Sequence, residues 1–187
     1  GASDDRRHCA AEGLTVGRKS SVDKQSPGVR AHILRRLREN RLTLDELIAD
    51  LHATFPAAAA SGELPSRSAL HRFGQGVQEI VAHEREMAAA AEAYAGELAM
   101  FAADDQEWPS FYVCFLGVGP DGHIASLFPD RGEIQSTDAV VLPVSGAPKP
   151  PSERLTLTRP VLNSARCVWL VVSGTDKAAA LGLALAG

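Results

Sequence analysis

The chain has 187 residues, 45% of them hydrophobic and 22% charged, with a formal net charge of −4. That is room for one large or two small domains of ordinary globular composition, with no overall pull towards nucleic acid or acidic membranes. The three cysteines, Cys9, Cys114 and Cys167, are odd in number, widely separated and without C-x-x-C spacing, which argues against a disulfide framework or a zinc site. No apolar run reaches the length of a membrane span, and the charged start lacks a hydrophobic signal region, so the expected location is cytoplasmic.

Residues 1–16 are polar, charged and without periodicity, and read as a disordered tail. His8 and Cys9 are adjacent there, but two potential ligands do not make a metal site. Residues 17–87 read as a separate helical segment. Between Gly17 and Arg41 there are eight Lys/Arg against two acidic residues, whereas after Met87 there are six against eleven. From Pro27 to Asn40, Val29, Ile33, Leu34 and Leu37 fall on one helical face, with Pro27 suited to the first turn and Asn40 to the end. Thr43 is the expected N-cap of a second helix, with Asp45 and Glu46 in its first turn and Leu44, Leu47, Ile48 and Leu51 as its apolar stripe. Phe55-Pro56 ends it, and Ala57–Ala60 with Ser61-Gly62 is a frayed extension or a joint.

A third helix opens near Pro65, capped by Ser66, and displays Arg67, Ser68, His71 and Arg72, a set suited to phosphates or base edges. The order resembles a helix-turn-helix. Three stretches, Gly17-Arg-Lys-Ser-Ser-Val-Asp23, Arg41-Leu-Thr-Leu-Asp-Glu46 and Ser66-Arg-Ser-Ala-Leu-His-Arg72, resemble the small terminase-type DNA-packaging proteins of Mu-like phages. That resemblance implies DNA as a partner of residues 17–87, set against a helical bundle that binds no nucleic acid. His32, His52 and His83 are expected on helix surfaces without a role. An Ala-rich helix over Ala88–Ala103 follows, starting as early as Val77 and packing through Tyr94, Leu98 and Met100.

Phe111-Tyr-Val-Cys-Phe-Leu116 is an apolar run rich in β-formers and reads as a buried strand. It breaks at Gly117, Gly119, Pro120 and Gly122, so Asp121 and His123 sit on the loop at the strand's carboxyl end, where open α/β sheets bind ligands. A histidine beside a carboxylate is a candidate general base, because the carboxylate fixes the imidazole tautomer and increases its basicity. Gly117 and Gly119 let backbone N–H groups approach a substrate or a developing oxyanion. Ala139–Val144 reads as a short edge strand containing Pro143. In Gly146-Ala-Pro-Lys-Pro-Pro151, prolines flank Lys149 and reduce the entropy it loses on engaging an anion. Arg154 can take phosphate or hold a carboxylate that shapes the pocket. Leu155–Leu162 continues as strand or loop. Cys167–Val172 reads as a second strand, buried on both faces, with Cys114 and Cys167 as small core residues. Ser173-Gly-Thr-Asp-Lys177 lacks the full G-x-x-x-x-G-K-[ST] pattern, so Lys177 reads as a surface residue.

Leu116-Gly-Val-Gly-Pro-Asp-Gly-His-Ile-Ala-Ser-Leu-Phe-Pro129 closely resembles the signature of the 6-phosphogluconolactonases, within the wider family that includes glucosamine-6-phosphate deaminase. Gly146-Ala-Pro-Lys-Pro-Pro-Ser-Glu-Arg-Leu-Thr-Leu-Thr158 and Val168-Trp-Leu-Val-Val-Ser-Gly-Thr-Asp-Lys177 extend the resemblance, which runs from about Ala88 to the end. The deaminases carry an acidic residue five places after the motif histidine; here Phe128 stands there, favouring the lactonase branch.

The resemblance implies a partial Rossmann-like parallel sheet with flanking helices over residues 88–187. It implies hydrolysis of 6-phosphoglucono-1,5-lactone to 6-phosphogluconate, a step of the pentose phosphate pathway, without metal or other cofactor. It assigns His123 as the base that activates water, Asp121 as its orienting carboxylate, amides at Gly117 and Gly119 as ligand contacts, and Lys149, supported by Arg154, as the phosphate site. The family's opening strand with its Gly-Gly-Ser/Thr-Pro loop, its Asp-Glu-Arg segment and its final strand and helix are not found in this sequence. Parallel strands without those neighbours are expected to expose edges and apolar faces, and a partner chain completing the sheet is a further expectation. The alternative function is a non-catalytic DNA-binding or assembly protein acting through residues 17–87.

Overall fold

A computed structural model describes residues 20–186. The tail with His8 and Cys9 lies outside the described residues. The chain divides into two compact units, one ending at Arg85 and the other starting at Glu86. Among the described residues no helix is long and apolar enough to cross a membrane.

In the first unit, α1 spans Pro27–Glu39. Ser26 caps it by accepting the Val29 amide, Pro27 fills the first turn, and Asn40 closes it in the left-handed region at φ 49°. The second helix, α2, spans Leu44–Thr54. Its start is a reciprocal capping box: Thr43 Oγ1 accepts the Glu46 amide at 3.3 Å, and the Glu46 carboxylate accepts the Thr43 amide at 2.7 Å. Pro56 starts the short α3, Pro56–Ala60. These helices bury Val22, Val29, Ile33, Leu47 and Leu51 around Leu70.

The long helix α4 runs unbroken over Arg67–Ala99, so the third helix and the Ala-rich helix expected from the sequence are one element of 33 residues. An interior glycine costs a helix only about 1 kcal/mol, and the alanine-rich run outweighs Gly74, Gly76 and Gly96. The architecture is thus α1, α2 and a five-residue α3 before one long helix, not three short helices. His32, expected to be an idle surface residue, is tied in: its Nε2 lies 2.5 Å from Asp50 Oδ2, and Arg36 holds the same carboxylate at 2.8 and 3.0 Å. Its partner is eighteen residues away, on α2, a contact with no local signature.

The second unit is α/β. Strand β1, Val113–Gly117, pairs in parallel with β4, Cys167–Val171, in the register Val113↔Cys167 to Gly117↔Val171. Strands β2, Val141–Val144, and β3, Arg154–Leu157, form an antiparallel pair. The stretch after β3, expected to continue as strand or loop, turns helical as α5, Arg159–Asn163, because Pro160 fits a first helical turn and removes a ladder donor. Helix α6 spans Ala178–Ala186. Leu116, Leu127 and Leu162 form the local core, with Ile124, Ile134 and Leu157 against it.

Strand β4 corrects the expectation of burial on both faces. All its residues are exposed, Trp169 at 57% and Leu170 at 50%, and Cys167 is exposed while Cys114 is half-buried. A parallel strand is buried when other strands and helices flank it; among the described residues β4 has β1 as its sole ladder partner.

Replacing Thr43 with alanine removes half of the capping box. The first unit is expected to lose about 1 kcal/mol in stability, read as a lower denaturant midpoint at unchanged slope.

Candidate active site

The loop leaving β1 folds back on itself. Val118 bridges to Ile124, the Gly119 amide donates to the His123 carbonyl at 2.9 Å, and the Gly122 amide donates to the Gly119 carbonyl at 3.0 Å. Gly122 sits at φ 81°, a conformation that favours glycine. This small closed turn holds Asp121 and His123 side by side. His123 Nδ1 is 2.6 Å from Asp121 Oδ1, and the histidine side chain is 15% exposed against 40% for the aspartate. With the carboxylate at Nδ1, that nitrogen carries the proton and Nε2 is the one left to accept another.

Two surfaces fix the imidazole plane. On one side is Gly119, where an added Cβ would collide with His123 Nδ1 and lie 2.6 Å from Asp121 Oδ1. The buried Phe128 lies against the imidazole, ring centroids 4.6 Å apart and planes 31° from parallel. Gly119 is therefore required for close approach of a side chain. Its N–H, expected to face a ligand, is already spent on His123 within the turn. Gly117 ends β1 with open space where a Cβ would project, so no such close approach requires it.

Lys149 arrives from the loop between β2 and β3, and its Nζ donates to Asp121 Oδ1 at 3.3 Å. His123, Asp121 and Lys149 thus form one connected string, twenty-eight residues being spanned between the lysine and the aspartate. The hydrogen bond with His123 is the main cause lowering the Asp121 carboxyl from 3.8 to about 2; its own amide and Lys149 add to the effect and partial burial opposes it. An aspartate so held is a carboxylate at neutral pH and can orient and stabilise an imidazolium.

Among the described residues Arg154 is paired with no carboxylate, one of the two roles the sequence left open for it. Its guanidinium donates to the carbonyls of Lys149 at 2.6 Å, Pro150 at 3.0 Å and Pro151 at 2.8 Å, and stands 5.7 Å from the Phe128 ring centroid. Arg131, which no sequence pattern singled out, does the same at the other end of the loop. It donates to the carbonyls of Ser145 at 2.8 Å and Gly146 at 3.0 Å while paired with Glu133 at 2.7 Å. Two guanidinium groups thereby gather five carbonyls of the segment that presents Lys149. Their partners are carbonyls, which every residue has, so the sequence carries no sign of the contact.

In the first unit, Arg67, Ser68, His71 and Arg72 line one groove with Leu44. Arg67 is bound through both terminal nitrogens to Asp45, which removes one of the cations expected to meet phosphates.

The second unit is thus an α/β protein whose strand-end turn holds a carboxylate-bound imidazole with an ammonium beside it. Residues 50–187 match the profile of the family described as glucosamine-6-phosphate isomerases/6-phosphogluconolactonase, and the chain belongs to that family. The match reaches back beyond Ala88 into α2. A 6-phosphogluconolactonase of Streptomyces coelicolor is 50% identical over 101 residues, covering 53% of this chain and 39% of the relative. The 6-phosphogluconolactonase of Homo sapiens is 51% identical over 92 residues, covering 49% and 35%. A crystal structure of 6-phosphogluconolactonase from Thermotoga maritima aligns with a TM-score of 0.46 at 32% identity, over 54% of this chain and 42% of that one. The chain thus spans about two fifths of the length of such relatives. These matches lend the nucleic-acid reading of residues 17–87 no support.

Two outcomes follow for the site itself. A Gly119→Ala variant is expected to fold but to push the imidazole away from Asp121, seen as loss of the Nδ1–Oδ1 contact in a crystal structure or as a changed His123 ring spectrum. Because the Asp121 carboxyl is depressed in the folded protein, the stability it contributes is fully present above 3.8 and is lost as pH falls through about 2. Melting curves of wild type and Asp121→Asn should therefore differ above 3.8 and converge near the lower value.

Proposed function

We propose that the chain hydrolyses 6-phosphoglucono-1,5-lactone to 6-phosphogluconate, the lactone-opening step of the pentose phosphate pathway. The observation that carries the reading is the string His123–Asp121–Lys149, with contacts of 2.6 and 3.3 Å, at the carboxyl end of a parallel strand. Relatives about half identical over the same stretch bear the name 6-phosphogluconolactonase, which supports it.

In this reading a water molecule attacks the lactone carbonyl carbon and loses a proton to His123 Nε2. Asp121, a carboxylate under these conditions, stabilises the imidazolium that forms. The tetrahedral oxyanion collapses, the bond to the ring oxygen breaks, and the proton held at Nε2 passes to that oxygen. The product is an open-chain acid with a free hydroxyl, and His123 returns to its starting state. Lys149 binds the phosphate as a point charge. Arg154 supports Lys149 by fixing the carbonyls around it, and Gly119 contributes the space in which the imidazole stands. Gly117 lies at the mouth of the same turn and is read as a substrate neighbour.

The test is lactone hydrolysis by the purified chain, measured over the spontaneous rate. Positioned base catalysis contributes about 100- to 10,000-fold, so His123→Ala should lose a factor of that order while keeping its melting temperature. Equal rates for wild type and variant would remove the proposal.

A further inference from the structure

His123 and Lys149 do not take separate oxygens of Asp121. Both bond to Oδ1, the imidazole at 2.6 Å and the ammonium at 3.3 Å. Two donors on one oxygen, the Nδ1–H of the imidazole and the ammonium, compete for the same electron density, and each weakens the other's hold. Around the imidazole, Asp121 stands at Nδ1, Lys149 reaches it through Asp121, and Phe128 lies against its ring, with the guanidinium of Arg154 5.7 Å from the Phe128 centroid. Lys149 is the adjustable member of this set. Its side chain is 40% exposed, as is that of Asp121, whereas that of His123 is 15% exposed. The backbone carrying Lys149 is held by Arg131 and Arg154, so its ammonium can change partner by side-chain rotation alone.

We propose that the substrate's phosphate switches on the base by drawing Lys149 away from Asp121, leaving that carboxylate to His123 alone. The proposal rests on the reading of Lys149 as the phosphate ligand. A dianionic phosphate offers several acceptor oxygens and a higher charge than a carboxylate, so the ammonium transfers to it. Asp121 Oδ1 then bonds only to Nδ1–H. The imidazolium that forms as water is deprotonated is opposed by one cation fewer at Oδ1 and favoured by an undivided carboxylate. Phosphate recognition therefore enters turnover as well as affinity. A lactone without phosphate meets a site whose base is held back by Lys149, and discrimination between the two substrates falls partly on kcat.

The experiment uses the full chain with its histidine rings labelled with nitrogen-15, and inorganic phosphate as the probe at constant pH and ionic strength. In wild type, phosphate is expected to shift the His123 ring nitrogens, with the other five histidines as internal references. In Lys149→Met the phosphate-free spectrum should already match the phosphate-loaded wild type and should not respond further. The parallel assay follows hydrolysis of glucono-1,5-lactone, which lacks the phosphate. Inorganic phosphate should accelerate wild type several-fold, and Lys149→Met should start from a higher rate and show no acceleration. The proposal is overturned if phosphate leaves the wild-type ring unchanged. It is equally overturned if Lys149→Met keeps the phosphate-free wild-type spectrum, or if both proteins respond alike. Should neither protein hydrolyse any lactone, the proposed activity fails, and the ring-nitrogen arm still decides whether Lys149 and His123 compete for Asp121.

Discussion

A single carboxylate oxygen joins the two loops that form the candidate site of the second unit. Asp121 Oδ1 receives the imidazole from its own turn and the ammonium from the loop between β2 and β3. Without it His123 would have no fixed tautomer, and Lys149 would be an ammonium on a surface loop. The low Asp121 carboxyl value of about 2 comes chiefly from the hydrogen bond with His123, with its own amide and Lys149 adding less, and it keeps the group ionised at neutral pH. Surface ion pairs contribute little to stability as a rule, so the value of this one lies in geometry and charge placement.

The two loops meet because backbone groups are satisfied in unusual ways. The β1 turn is closed by its own amides, which hold His123 by its carbonyl and leave Gly119 pressed against the ring. The Lys149 loop lies outside any ladder, so its carbonyls need donors from elsewhere. Arg131 and Arg154 provide them. A third tie runs from the Ser126 amide to the hydroxyl of buried Thr156 at 3.2 Å, connecting the segment after the turn to β3. Arginine is suited to the clamp role because its planar fork presents several fixed donors, where lysine would offer one mobile group.

The scaffold of the site is covered unevenly. Leu116 and Val118 are buried beneath the turn, while Phe115, Trp169 and Val171 on the same strand pair stand exposed. Phe115 and Trp169 meet edge to face at 5.3 Å and shelter part of each other. The exposed faces are those of a two-stranded parallel pair among the described residues, a form of sheet normally covered on both sides. The turn that carries Asp121 and His123 therefore depends on its own hydrogen bonds and on the small Leu116–Leu127–Leu162 core, and less on the breadth of the sheet.

Much was already legible along the chain, because it depends on neighbours in sequence. The caps at Ser26, Thr43 and Asn40, the strand before Gly117, and the placing of Asp121 and His123 on one strand-end turn are all local patterns. Lys149 was singled out through the family resemblance; its flanking prolines alone pointed no further than a solvated lysine on a turn. What the sequence did not carry were contacts between distant segments made by groups common to every residue or every helix. Arg131 and Arg154 on loop carbonyls and His32 on Asp50 belong to this class; the exposed apolar face of β4, by contrast, was expected from the missing neighbours of a parallel pair. Above all, a strand-end motif and a family resemblance can bring a histidine, an aspartate and a lysine to one expected site, but only the folded chain decides that two of them share one oxygen of the third, since that depends on the path of two loops in space.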